Sequence, residues 1–89
     1  MVHFDAKIGN NCRILPNVMI GSKFANGIPD VEPPVIGDNI FIGTSAVVIG
    51  RIHIGNNVII GANSVVTRDV PENSIAVGSP AKIWKRKDI

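Results

Sequence analysis

The sequence predicts an all-β chain wound as a parallel β-helix of about four coils, with one extruded loop and a short C-terminal tail or helix. Three observations predict it. Six hexapeptides run in unbroken register from Ile36 to Pro71, each opening on an aliphatic residue: Ile36, Ile42, Val48, Ile54, Ile60 and Val66. The same beat stands earlier in the chain, at Val2, Ile8, Ile14 and Ile20, so nearly all 89 residues repeat one unit. Hydrophobic residues make up 45% of the chain but aromatic ones only 4%, so a core must be filled by stacked Ile and Val rather than by rings.

Each element follows from the hexad. The first residue is aliphatic and the fifth is small or aliphatic, as in Ala6, Cys12, Val18, Ile40, Ala46, Ile52, Val58, Ser64 and Val70. From a fifth position to the next first is a step of two, the pleat period of a strand, so both point inward along a short strand. The middle of each hexad is the corner. Gly9, Gly21, Gly37, Gly43, Gly55 and Gly61 take the second position, and Asn10, Asn11, Asp38, Asn39, Asn56, Asn57 and Asn63 come after them, residue types that tolerate turn geometry including positive φ. Three such units close a triangular coil, and coils stack at the usual strand spacing of ~4.8 Å. Residues eighteen apart then lie over one another, Gly37 over Gly55 and Gly43 over Gly61. Between Ile20 and Ile36 the pattern lapses, and residues 22–34 read as the extruded loop, stiffened by Pro29, Pro33 and Pro34. Residues 72–89 are the tail, and the whole of 1–89 is one domain.

Composition narrows the function. No apolar run approaches the ~18 residues a membrane helix needs, and the N-terminus does not read as a signal peptide. A single cysteine, Cys12, cannot close an internal disulfide and reads as a small core residue; with it, a cytoplasmic location is expected. No cluster of metal-ligating residue types is visible, so no metal is expected. The net charge is +2, with Lys82, Lys85, Arg86 and Lys87 gathered in the last eight residues. That basic tail suits phosphate groups, but no stacking platform or wider basic face accompanies it, which argues against nucleic acid.

The run Ile54-Gly-Asn-Asn-Val-Ile-Ile-Gly-Ala-Asn-Ser-Val-Val-Thr-Arg-Asp-Val-Pro71, followed by Ala76-Val-Gly-Ser-Pro-Ala-Lys-Ile83, resembles the hexapeptide-repeat acetyltransferases. The likeness is greatest to the C-terminal catalytic part of serine acetyltransferases and to related sugar or polysaccharide O-acetyltransferases. The resemblance implies a left-handed parallel β-helix, a hand that periodicity alone does not give. It also implies transfer of an acetyl group from acetyl-CoA to a hydroxyl or amine of a small molecule or sugar, in homotrimers whose sites lie between neighbouring prisms. Carried over residue by residue, Thr44, Ala62, Thr67 and Arg68 match positions lining the cofactor groove, and Lys82 and Lys85 match basic positions near the CoA phosphates.

Transfer requires a base to take the acceptor's proton, and His is the usual choice at neutral pH. The chain has His3 and His53 only. The loop, which in the family helps enclose the acceptor, carries no His, and Pro33-Pro34 stand where the serine acetyltransferase pattern expects one. Phe24, Asp30 and Glu32 are the loop residues suited to meeting an acceptor. His3, in the first coil with Asp5 nearby, is the candidate base; His53 reads as structural. The alternative is an inactive or shortened homologue serving as a trimeric structural or interaction module. Ile83 and Trp84 are expected to pack on the last coil.

Overall fold

The computed structural model describes residues 7–21 and 34–86, together with the backbone of 24–25 and 28–29. Every regular element in it is a short strand. The first coil consists of β1 (Lys7–Ile8), β2 (Arg13–Ile14) and β3 (Met19–Gly21); a small antiparallel pair, β4 (Phe24–Ala25) and β5 (Ile28–Pro29), follows. The second coil is β6 (Val35–Ile36), β7 (Phe41–Ile42) and β8 (Val47–Ile49), and the third is β9 (His53–Ile54), β10 (Ile59–Ile60) and β11 (Val65–Val66). The chain ends in β12 (Ser74–Val77) and β13 (Lys82–Lys85). Successive coils stack as three parallel sheets, in the order β1-β6-β9, β2-β7-β10-β12 and β3-β8-β11, and β13 adds to β12 antiparallel.

The hexad positions do what their spacing predicts. Ile36 pairs with Ile54, Ile42 with Ile60, and Val48 with Val66, so each first-position side chain lies on its counterpart one coil away. Ile20, Ile42, Val48 and Ile60 are fully buried, and the fifth-position residues Val18, Ile40, Ala46, Ile52, Val58, Ser64 and Val70 close the core between them. Each fully buried aliphatic side chain contributes roughly 1.5–3 kcal/mol. Cys12 packs against this core, as expected, and its thiol donates to the Gly37 carbonyl at 3.2 Å.

At the corners, glycine and asparagine divide the work that the sequence suggested they share. Six residues at the fourth position have positive φ, Asn11, Asn17, Asn39, Ser45, Asn57 and Asn63, all between 58° and 65°, and Asn73, stacked on Asn57, joins them at 56°. Asparagine visits this left-handed region more readily than other residues with a side chain. The second-position glycines serve close approach instead. A Cβ on Gly37 would stand 2.4 Å from Asn56 Oδ1, the oxygen that accepts the Asp38 N–H at 2.8 Å. One on Gly43 would stand 2.6 Å from the backbone nitrogen of Ala62.

Four expectations are corrected. Pro34, counted with the loop, is fully buried two residues before Ile36, an inward position of the second coil. The loop is an insertion at one corner: Lys7 pairs with Val35 and Arg13 with Phe41, 28 residues on, where regular coils repeat every 18. The hexad Val66–Pro71 is not regular. Val70 is buried, but it bridges to Ile54 and lies 16 residues on, so this corner is two residues short of a full turn. The C-terminal segment, which the sequence allows as a tail or a helix, is a strand hairpin, because Ser74-Ile75-Ala76-Val77 alternates in and out and extends the second sheet before Gly78, at φ 106°, reverses the chain. Within that hairpin Ile83 packs on the core, while Trp84, opposite Ile75 on the outer face, is 56% exposed.

The glycine geometry makes a paired prediction. Gly43→Ala forces its Cβ into a backbone that cannot swing away and is expected to lower the unfolding free energy by about 1–3 kcal/mol. Gly21→Ala, whose Cβ would meet nothing within 4 Å, is expected to stay within about 1 kcal/mol of the parent. Denaturant titration of both variants checks this.

Candidate functional site

Irregularity gathers at one corner of the prism, the one joining the third sheet to the first. In the first coil it carries the insertion; in the second it turns through Gly50, at φ 104°, with the Ile52 N–H donating back to Gly50 O at 3.0 Å. In the third coil it is the shortened run Thr67-Arg68-Asp69 between β11 and Val70. Asp69 fixes that run by accepting the His53 backbone N–H on Oδ1 at 2.8 Å.

Above β11 no further strand of the third sheet follows among the described residues. The segment 78–81 occupies that place, held by three hydrogen bonds: Val65 N–H to Gly78 O at 2.9 Å, Ala81 N–H to Val65 O at 2.9 Å, and Gly78 N–H to Ser64 Oγ at 3.1 Å. Between this arm and the short corner lies a cleft of about 290 Å³, with Val66, Thr67 and Arg68 on one wall and Pro80, Ala81, Lys82 and Ile83 on the other. Its body is apolar, and two exposed cations, Arg68 and Lys82, stand at it. Its volume is at the lower limit of small-molecule pockets, ~300–1,000 Å³, so it suits one anionic portion of a long ligand rather than the whole of it.

The structure thus brings together Thr67, Arg68 and Lys82 of the residues singled out from sequence. Thr44 and Ala62 are exposed at a different corner, between the second and third sheets, stacked on one another with the Asn63 N–H donating to Thr44 O at 2.9 Å. Ala62 and Thr67 flank the two ends of β11, so a ligand touching both groups must pass along the third sheet. Lys85 is farther along β13, opposite Ser74, and does not line the cleft. His3 lies outside the described residues, as do Asp5, Asp30, Glu32 and the side chain of Phe24. His53 is exposed on β9, opposite Val35, and is not part of the cleft lining. Among the described residues no three of His, Cys, Asp and Glu are grouped as they would be around a metal ion.

Sequence reasoning missed Ser64, Pro80, Ala81 and Ile83 as parts of the site. One signal was available: Ser64 is a hydroxyl at an inward position where the other hexads from Ile8 onward have Cys, Val, Ile or Ala.

Residues 33–68 match the family model described as bacterial transferase hexapeptide (six repeats). The chain is 43% identical over 86 residues to the serine acetyltransferase of Staphylococcus aureus, covering 92% of this chain and 40% of that protein. It is 35% identical over 88 residues to the galactoside O-acetyltransferase of Escherichia coli, covering 90% of this chain and 43% of that protein. The crystal structure of Neisseria gonorrhoeae serine acetyltransferase superposes with a TM-score of 0.85 at 42% identity, covering 96% of this chain and 32% of that one. The chain spans less than half the length of the curated relatives it matches. The fold is accordingly the left-handed parallel β-helix of these hexapeptide-repeat proteins.

Ile83 and Trp84 separate the cleft wall from the outer face. Ile83→Ala removes a side chain packed against the core and is expected to cost about 1–3 kcal/mol, whereas Trp84→Ala is expected to cost under about 1 kcal/mol. Thermal melts of the two variants measure the difference.

Proposed function

We propose, from the premise that this chain belongs to the hexapeptide-repeat family of the serine and galactoside O-acetyltransferases, that it moves an acetyl group from acetyl-CoA to a hydroxyl or amine of a small molecule or sugar. The observation that carries the donor half of this reading is the cleft, where Arg68 and Lys82 stand beside an apolar trough. A carrier with phosphates at one end and an apolar, amide-bearing arm matches that chemistry: guanidinium and ammonium groups make charge-assisted hydrogen bonds to phosphate. Thr67 adds a hydroxyl there. Thr44 and Ala62, exposed beside the small glycines Gly43 and Gly61, suit the arm, and Lys85 extends the basic character of β13.

In the reaction the acceptor's oxygen or nitrogen bonds to the thioester carbonyl carbon, the carbon–sulfur bond breaks, and the CoA thiol leaves while a base takes the acceptor's proton. His3 is the base in this proposal. The acting form is a homotrimer. Met19, Phe41, Val77 and Trp84, all exposed on outer faces of the sheets, support a partnered prism, because apolar side chains in such number on a small domain are usually covered. The compartment is the cytoplasm, in keeping with one unpaired cysteine. No helix among the described residues is long and apolar enough to cross a membrane.

Calorimetric titration with acetyl-CoA tests the reading. Saturable binding is expected, weakened about 5- to 30-fold by Lys82→Ala and by Arg68→Ala, since each change removes about 1–2 kcal/mol of charge-assisted hydrogen bonding. The affinity is also expected to fall as salt rises. No saturable binding at millimolar acetyl-CoA overturns the proposal.

A further inference from the structure

Ser64 is fully buried at a position where the stacked residues of the lower coils are Val18 and Ala46. The stack is visible in the ladder: Met19 N–H donates to Ala46 O, Val47 N–H to Ser64 O, and Val65 N–H to Gly78 O, so Gly78 occupies the next tier above Ser64. The lower tiers are turned by full corners, in which the Ala46 N–H reaches Gly43 O and the Ser64 N–H reaches Gly61 O, both at 3.3 Å. The corner leading to Gly78 is shorter: Ala76, which lies on Ile60, is only two residues before it. Among the described residues the Gly78 N–H has no backbone acceptor in that corner of the kind Gly43 and Gly61 provide below. Ser64 Oγ takes it instead, at 3.1 Å. A buried hydroxyl in an aliphatic stack is thereby explained as the acceptor for a half-buried backbone donor.

Gly78 also begins the arm that forms the second wall of the cleft. Its amide is held by Ser64, its carbonyl by Val65, and the arm's other end by Ala81 N–H on Val65 O. The next residues after Val65 are Val66, Thr67 and Arg68, the first wall. One short stretch of backbone thus carries one wall and clamps the other, and Ser64 is its only side-chain bond to the arm among the described contacts.

We infer that Ser64 is a positioning residue for the donor site: its hydroxyl fixes the Gly78 amide, and so sets Pro80, Ala81 and Lys82 at the distance from Thr67 and Arg68 that the ligand requires. This rests on the proposed CoA-binding reading.

The test compares Ser64→Ala with Val58→Ala, a fully buried residue of the same coil at a corner remote from the arm. Alanine is already tolerated one tier below at Ala46, so Ser64→Ala is expected to fold. The readouts are CoA affinity by calorimetry, the melting temperature, and the exchange rate of the Gly78 amide by NMR. The inference expects Ser64→Ala to weaken CoA binding tenfold or more and to speed Gly78 exchange, while Val58→Ala lowers the melting temperature at least as much yet binds CoA within twofold of the parent. It is overturned if Ser64→Ala binds within twofold of the parent, if Val58→Ala weakens binding equally, or if the Gly78 amide exchanges freely in the parent. If the parent chain binds no CoA, the donor reading fails and this role fails with it; slow Gly78 exchange would then show that the clamp itself exists as a structural bond only.

Discussion

Everything in this molecule depends on the stacking of one coil on the next through backbone hydrogen bonds. No single coil could bury its aliphatic residues, since each presents only two or three per side; burial comes when Ile42 lies on Ile60 and Val48 on Val66. The same bonds that set the strand spacing fix which side chains meet. Gly9 donates to Ile36, Gly37 to Ile54 and Gly55 to Val70, so one corner repeats the same contact at each tier. The requirement that like meet like falls on composition directly. A large ring inside would have to be matched above and below, which accounts for a core of Ile, Val and Ala.

Because stacking is so constraining, departures from it are confined. Two of the three corners of the prism keep the hexad through the first three coils, with asparagine or serine at positive φ in each. The third corner holds the insertion, the Gly50 turn and the two-residue deletion. A corner that faces away from two well-paired sheets is where length can change without breaking the ladder, since insertion there adds chain outside the prism. Deletion has a different effect. Removing two residues after Val66 brings Val70 onto Ile54 early, and a cleft remains between Thr67 and Arg68 and the returning arm. The cleft is a consequence of that missing length.

The coils, their inward residues and the position of the loop were legible in the sequence because hexad periodicity is a local property, visible in Ile36 to Val66 without knowledge of any partner. Thr67, Arg68 and Lys82 were singled out through resemblance, and all three line one cleft. What could not be read was where the period is imitated but not kept. Val70 is five residues into an apparently regular hexad and is buried as that position predicts, yet it stacks on a first-position residue, Ile54. Inward orientation is shared by both positions, so pattern alone cannot distinguish a full corner from one cut short. Trp84 was misread for a related reason. In a hairpin the inward face alternates, and Ile83, not its larger neighbour, meets Ala76.

The C-terminal hairpin joins the end of the stack to the cleft. A parallel solenoid ends in a row of unpaired strand groups, a template for association unless something covers it. Here β13 pairs with β12 in the opposite direction, its outer face and edge carry Lys82, Trp84 and Lys85, and Arg86 returns to the body through its N–H on Asn73 O at 2.7 Å. That cap closes the second sheet, while among the described residues the third is closed by the arm before it. The arm cannot be a regular strand, because it must reverse the chain within the width of one sheet, and so it rests on few hydrogen bonds, one of them donated to a side chain. A cap of that construction leaves a gap beside β11 and hangs its far wall on Ser64. The arm that covers the third sheet is therefore also the arm that leaves the cleft open beside it.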